Sequence, residues 1–513
     1  MRLPTMVVLA ASMIASVLGP GAAHADGDDA LVWTDSGPVR GTVAQGYRVF
    51  QGIPYAAPPV DALRWRSPQP PQPWSQPRDA TVPGPACAQG DGSRPGTSED
   101  CLYLNVTTPI PNGRAKPVLV WLQGGGNNNG AGSDYDPHRL AVGGDVLVVT
   151  LNSRQGLLGY LAHPALPNSG NFGLEDQQAA LRWVRRNAPA FGGDPSRVTL
   201  IGESWGSTDA CALLTAPASQ GLFQRLIVQS SVCSISWPVN GHLPGRPAGS
   251  PFVSRATAEA TGLAVAAEYG CTDPATVVRC LYGLSAADLT RVDRGPTPMV
   301  YDTRVLPQRP PDAVAAGRFP RIPVLSGSNR DEGRLFAALW PQPIDYDREL
   351  HTSFGDAAER IENRYPLTDF DSSGLAWATV LTDHVWTCKQ LTDDRMLARR
   401  TTVFTYQFAD RNAPTGFFFF PPEVPSGAFH ASELSYLFEW AGFVANRTPA
   451  QEMLANQMIA HWGAFAATGN PNGPGLPFWP RFDGSSAHTL APGDTQLVNL
   501  NTQHNCAFWA TIG

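Results

Sequence analysis

Lysine is nearly missing from this chain. Among 513 residues it occurs only at Lys116 and Lys389, so Schiff-base chemistry or a serine–lysine pair would have to run through one of two side chains. Basic residues are outnumbered as well: 37 Lys and Arg stand against 44 Asp and Glu, a formal net charge of -7, which argues against a nucleic-acid partner. No C-x-x-C pair and no H-E-x-x-H occurs, so no structural or catalytic metal site is expected. The one run of three glycines is followed by no lysine and fits no G-x-G-x-x-G register, which removes the phosphate-cradling loops. Outside the N-terminal segment no apolar run reaches membrane-spanning length, so no membrane span is expected.

What is there begins with MRLPTMVVLAASMIASVLGPGAAHADGDDA, a lone Arg2 ahead of an apolar run and small residues leading into Ala23-His24-Ala25. That is the pattern of a secretory signal peptide with an A-x-A site, too short and wrongly flanked for a spanning helix. The expectation is cleavage after Ala25, a mature chain of residues 26–513, and release outside the cytoplasm. Loss of Arg2 makes that mature chain more acidic still. Eight cysteines in an exported chain point to disulfides rather than thiol catalysis. Spacing suggests two local loops, Cys87 with Cys101 and Cys271 with Cys280, without fixing the connectivity.

Length alone would suggest about three domains, yet residues 26–513 read as a single α/β unit. PVLVWLQ (117–123), DVLVVTLN (145–152), RVTLIG (197–202), RLIVQS (225–230), IPVLSGSN (322–329) and TTVFTYQFA (401–409) are short apolar runs of the kind buried parallel strands make. Between them lie helical patterns such as GLEDQQAALRWVRRNAPAFG (173–192), with Leu174, Leu181 and Val184 toward one side. Alternating strands and helices imply a mostly parallel central sheet flanked by helices. LVWTDSGPVRGTV (31–43) reads as an N-terminal antiparallel hairpin hinged at Asp35-Ser36-Gly37. Residues 231–320 and 333–400 read as large insertions forming a cap over the carboxyl edge of the sheet, where insertions shape substrate access.

LIGESWGST (200–208) contains the chain's one G-x-S-x-G, Gly202 to Gly206, at a junction of strand and helix. Glycines there let strand and helix cross closely around a strained turn that lifts the serine oxygen into the open. Ser204 is therefore the candidate nucleophile, with an ordinary glycine-rich turn as the plain alternative. A serine hydroxyl needs a base to take its proton and a carboxylate to orient that base. His430, in GAFHASELSYLF (427–438), is the candidate base, and the order serine, acid, histidine places the acid between the two. GSNRDEG (327–333) offers Asp331 and Glu332 directly after a strand, and spacing does not separate them. Acyl transfer also needs fixed backbone donors for the oxyanion, each worth about 3 kcal/mol. WLQGGGNNNG (121–130), with bare glycine N–H groups after a strand, suits that role.

FQGIPYAAPPV (50–60), SEDCLYLNV (98–106), NFGLEDQQAALRWVRRNAPAFGGDPSRVTLIGES (171–204), GSNRDEG and GAFHASE, in that order, resemble the type-B carboxylesterase and cholinesterase family of α/β hydrolases. The likeness runs from about Val32 to Cys506. It implies the α/β-hydrolase fold, Ser204 as nucleophile, His430 as general base, and Glu332 rather than Asp331 as the acid. It implies oxyanion donors at the backbone N–H groups of Gly125, Gly126 and Trp205. It also implies disulfides joining Cys87 to Cys101, Cys271 to Cys280 and Cys388 to Cys506, and leaves Cys211 and Cys233 unassigned.

Several positions depart from the pattern. The family usually has a small residue, most often alanine, where this chain has Trp205. Because the donor is the main-chain N–H, an indole does not by itself remove the oxyanion hole, but its ring has to find room, either reshaping the pocket or repacking an enlarged core. Asn127 stands where an aromatic is usual, and the polar run Asn127 to Asn129 predicts a more hydrophilic pocket wall, while Trp237 keeps the place of an acyl-pocket aromatic. Phe417 and Phe418, in PTGFFFFPPEVP, are expected either at the pocket mouth, where they would favour lipid-like esters, or packed in a buried loop.

The expected protein is a secreted serine carboxylic ester hydrolase working through an acyl-enzyme on small-molecule esters, with no cofactor. An amidase built on the same groups, and a non-catalytic binding relative, are the alternatives. Such binding relatives typically lose the nucleophile, which this chain keeps.

Overall fold

The computed structural model describes residues 29–89, 94–291, 294–341, 343–416, 418–440 and 442–512. The expected signal peptide with its cleavage site after Ala25, and Phe417, lie outside the described residues.

Eleven strands form the central sheet: β1 (Thr42–Ala44), β2 (Tyr47–Pro54), β3 (Tyr103–Pro109), β4 (Lys116–Leu122), β5 (Leu147–Leu151), β6 (Gly193–Glu203), β7 (Arg225–Gln229), β8 (Val324–Asn329), β9 (Val403–Phe408), β10 (Ser486–Leu490) and β11 (Leu497–Asn499). Their spatial order is β11-β10-β9-β8-β7-β6-β4-β5-β3-β2-β1. From β10 across to β5 every neighbouring pair is parallel, while β1, β2, β3 and β11 add antiparallel margins. The six apolar runs read from the sequence are β4 to β9, the parallel centre. The N-terminal hairpin pairs Leu31 with Arg40 and Trp33 with Pro38, closed at Gly37.

A strand buried on both faces has to supply two cores from alternate residues. In β4, Val118, Val120 and Leu122 face one core with Leu174, Leu181 and Val184 of α1 (Phe172–Asn187) and with α2 (Trp205–Thr215). Leu119 and Trp121 face the other, against Leu454, Met458 and Trp462 of a long C-terminal helix, Pro449–Thr468. That helix is started by a Thr448/Gln451 capping box with Pro449 in its first turn and stopped by left-handed Gly469, start and stop signals visible in RTPAQ and TGN.

The insertions divide rather than forming one cap. Trp237, His242, Pro296 and the helix Gly333–Ala338 wall a cleft above the serine. The helix Cys388–Ala398, expected in the cap, instead packs against β8 and β9. Two adjacent parallel strands need a crossover that returns the chain along the sheet face, and this helix supplies it. It is reached from Ser373–Leu381 through a π-helical turn, Thr382–Thr387.

Disulfides join Cys87 to Cys101, Cys271 to Cys280, Cys388 to Cys506, and also Cys211 to Cys233. The last ties α2 to the loop carrying Trp237. Among the described residues, no helix is long and apolar enough to cross a membrane.

Candidate active site

Ser204 sits between β6 and α2 with φ 53° and ψ -125°, a conformation that L-residues adopt only under constraint. Close crossing explains the flanking glycines. A Cβ on Gly202 would stand 2.4 Å from the Gly206 carbonyl group, and one on Gly206 would stand 2.1 Å from the Leu122 oxygen. The turn is pinned from outside as well, with Ser204 N donating to Gln229 O at 2.9 Å and Gln229 N to Ser207 Oγ at 2.7 Å.

The histidine and the acid arrive from separate strand ends. Glu332 follows β8 at the start of Gly333–Ala338, fully buried, and its Oε1 accepts from Asn329 N at 2.7 Å. His430 lies in the loop after β9; Asn329 Nδ2 holds that loop through Phe429 O at 2.7 Å. The imidazole spans the gap: Nδ1 is 2.6 Å from Glu332 Oε2 and Nε2 is 2.8 Å from Ser204 Oγ. Since a carboxylate only accepts, in the neutral ring Nδ1 carries the proton and Nε2 is left to accept from the serine hydroxyl.

Asp331, the neighbour that spacing could not separate from Glu332, points elsewhere. Its carboxylate takes Arg411 Nε and Nη2 at 2.9 and 2.7 Å and Ala428 N at 3.0 Å. Burial opposes its ionisation, but the Arg334 and Arg411 charges hold it below the ordinary carboxylate range.

Sequence reasoning missed two further acids. Glu203 Oε1 lies 3.4 Å from His430 Nε2, and burial, with the like charges of Glu433 and Glu332, pushes its carboxyl well above the usual range. Glu433, bound by Asn329 Nδ2 at 2.6 Å, is pushed up to about 7 by burial and by Glu332. The signals were there: Glu203 is adjacent to Ser204 in G-E-S, and Glu433 follows His430 by three residues. Burial works against a charged His430 ring, but Glu332 and Glu203 outweigh it and push the imidazole up to about 9.

The amide hydrogens of Gly125, Gly126 and Trp205 find no acceptor among the described residues. Gly125 and Gly126 are at φ 98° and 69°, and Trp205 opens α2, where N–H groups lack helical partners. These groups and Ser204 face a cleft of about 1010 Å³. One side is aromatic. Trp237 packs at 4.7 Å on Trp386 and 5.1 Å on Phe336, and both of those rings lean on His430 at 5.6 and 5.1 Å. The other side is polar, with Gln89, Asn128, Asn129, Ser133 and an Arg94–Asp134 pair whose hydrogen bonds measure 2.8 and 2.5 Å.

Trp205 is in the cleft wall, 8% exposed, with its Nε1 buried and unpartnered. Phe418 lines the cleft, packed on Phe429 and Trp440; Phe420 packs on Phe429, and Phe419 points to solvent at 80% exposure. The polar run meets the cleft through Asn128 and Asn129, but Asn127 itself does not: its side chain turns inward, Nδ2 donating to Asp209 Oδ1 at 3.0 Å. A left-handed residue after two left-handed glycines reverses the side-chain direction, which the sequence pattern alone does not register. One trio able to ligate a metal among the described residues joins Asp136 and Glu439 of the short ribbon Tyr135–Asp136 with Glu439–Trp440 to His138, at the start of the helix His138–Gly143.

The sequence profile of the Carboxylesterase family matches residues 28–509. Fumonisin B1 esterase of Sphingopyxis macrogoltabida is 36% identical over 92% of this chain and 88% of its own length. Para-nitrobenzyl esterase of Bacillus subtilis is 33% identical over 90% of this chain and 94% of its own. Among solved structures, a thermophilic PNB esterase superposes with a TM-score of 0.78 at 30% identity, covering 94% of this chain and 100% of that one.

Proposed function

Because the chain belongs to the carboxylesterase family and is therefore a carboxylic ester hydrolase acting on small-molecule esters, we propose that it is a secreted serine esterase in which Ser204, His430 and Glu332 form the catalytic triad. In this reading His430 Nε2 takes the Ser204 proton as Oγ bonds to the ester carbonyl carbon. Glu332 keeps the ring in the required tautomer and stabilises the imidazolium. The carbonyl oxygen gains its negative charge against the amides of Gly125, Gly126 and Trp205. When the intermediate collapses, the same imidazolium gives its proton to the departing alkoxide, leaving an acyl-serine. Water, deprotonated by His430, repeats the sequence and releases the acid.

One observation carries this reading: an unbroken hydrogen-bond line from Glu332 through His430 to a serine oxygen held at positive φ at the floor of an open cleft. Four disulfides support life in an oxidising compartment, and with them the reading of residues 1–25 as a leader ahead of one catalytic domain, residues 26–513. The test is labelling with a fluorophosphonate. The protein should react once, at Ser204, and lose ester hydrolysis in step; Ser204→Ala should do neither. Labelling elsewhere, or hydrolysis surviving in Ser204→Ala, overturns the assignment.

A further inference from the structure

The loop that presents Gly125 and Gly126 is thinly supported from behind. A cavity of about 10 Å³ lies beneath it, bounded by Leu122, Gly124, Asn127, Gln155, Gln177 and Asp209, room for about one water. Backbone bonds hold the carbonyl side of the loop: Thr297 N donates to Gly126 O at 2.7 Å and Gly156 N to Asn127 O at 2.6 Å. What crosses to the nucleophile's own helix is a side chain. Asn127, at φ 52°, sends Nδ2 to Asp209 Oδ1 at 3.0 Å, and Gln177 Nε2 of α1 holds Asp209 Oδ2 at 2.6 Å. All three side chains are buried.

Asp209 lies one helical turn after Trp205, so a single carboxylate connects the helix that carries one oxyanion amide to the loop that carries the other two. Its donors are both neutral amides; neither lysine nor arginine pairs with it among the described residues. A buried acid with no cation is costly and is retained where its hydrogen bonds fix a geometry. Asn127 is likewise held in a left-handed conformation that a non-glycine residue adopts at some cost.

We propose that Asn127 and Asp209 are positioning residues for ester hydrolysis: their contact sets the distance between the Gly125 and Gly126 amides and the Trp205 amide, so that all three converge on one oxygen. Neither residue touches substrate. The proposal rests on the triad reading above.

The test compares Asn127→Gly, which keeps the left-handed backbone and removes the strut, with Asp209→Ala and Asp209→Asn. The asparagine can still accept from Asn127 through Oδ1 and can donate to Gln177 Oε1, which is unpartnered. Rates on p-nitrophenyl acetate are normalised to fluorophosphonate-titrated sites, and affinity is measured for a trifluoromethyl ketone, whose adduct places an oxyanion at the same amides. Asn127→Gly and Asp209→Ala should lower kcat about 10- to 100-fold, with KM within about threefold and ketone affinity falling in parallel. Asp209→Asn should restore most of both. If the first two variants keep kcat and ketone affinity per titrated site and lose only thermal stability, the contact is merely structural and the proposal fails. Failure of the triad reading looks different, because the unaltered protein would then not titrate at Ser204.

Discussion

Two buried acid–imidazole pairs exist among the described residues, and only one of them faces a cleft. Glu332 and His430 meet at 2.6 Å, and Asp383 and His504 meet at the same 2.6 Å. The first ring presents its far nitrogen to a serine hydroxyl beside open space. The second presents it to Gln407 Nε2 at 2.6 Å, in a closed network where Asp383 Oδ2 also accepts from Tyr365 and Tyr365 accepts from Trp509 and Asn505. The Cys388–Cys506 bond closes the chain around this second pair. The same chemical unit thus serves two ends. An oriented imidazole becomes a base only when its second nitrogen meets an exchangeable proton on a nucleophile that substrate can reach; otherwise it is a satisfied core group.

The sharpest way to break the comparison is to remove each ring. His430→Gln should lower kcat by about 10⁶-fold and also lower the melting temperature below about pH 9, because buried Glu332 loses its charged partner. His504→Gln should leave kcat per fluorophosphonate-titrated site intact and lower the melting temperature, because Asp383 and Gln407 each lose a partner in a buried site. Steady-state kinetics and calorimetry on the two variants check both halves, and a large kcat loss in His504→Gln would show that the closed pair is coupled to the chemistry. The acids give a smaller version of the same contrast. Glu332→Gln should lower kcat by about 10⁴-fold through the wrong tautomer, whereas Asp383→Asn should cost about 1 to 3 kcal/mol of stability with turnover retained.

How much of this was legible depends on whether the signal was local. The strands β4 to β9 were readable because each is a short apolar run whose neighbours in the sheet are also apolar, and Ser204 because its glycines are required by a crossing within five residues of chain. Choosing Glu332 over Asp331 from the residues themselves was not possible. Two consecutive residues at a helix start diverge by a fraction of a turn, and only the arginine at position 411, distant in sequence, shows which one is taken. Asn127, alone of its polar run, misled because its side-chain direction follows from its own left-handed φ of 52°, which the residue pattern does not show. Trp386 gave no sign at all: it reaches His430 from a π-helical turn, where the helical period used to assign faces does not hold. The closed pair, Asp383 with His504, was equally silent, since 121 residues separate its members.

Acidity gives the open pair a further test. In the proposed mechanism His430 must be neutral to accept the serine proton, and its ring is pushed up to about 9 against the ordinary value near 6.5. The acid limb of kcat/KM should therefore lie above 6.5, with activity rising toward pH 9. The linkage runs the other way for stability. A folded-state value above the unfolded one contributes stability that is fully present below about 6.5 and lost as pH rises through about 9. Activity and stability should thus move in opposite directions across that window, measurable as kcat/KM and melting temperature in one buffer series. Glu332→Gln should move the acid limb downward and flatten the stability change; a limb that stays in place would mean another group controls it.

The smallest expected effect concerns what keeps the open pair open. The Trp205 ring stands in the cleft wall with an indole N–H that has no partner, so replacing it by alanine removes bulk from the wall without breaking a side-chain hydrogen bond. The main-chain amide that the proposed mechanism assigns to the oxyanion remains. Short-chain esters should therefore be hydrolysed at nearly the original rate by Trp205→Ala, while longer acyl chains gain about two- to tenfold in kcat/KM, the size of effect that a few methylenes of pocket space produce. Were the chain-length profile to stay unchanged while stability fell, the ring would be filling core in the manner of the closed pair's surroundings rather than shaping access to the serine.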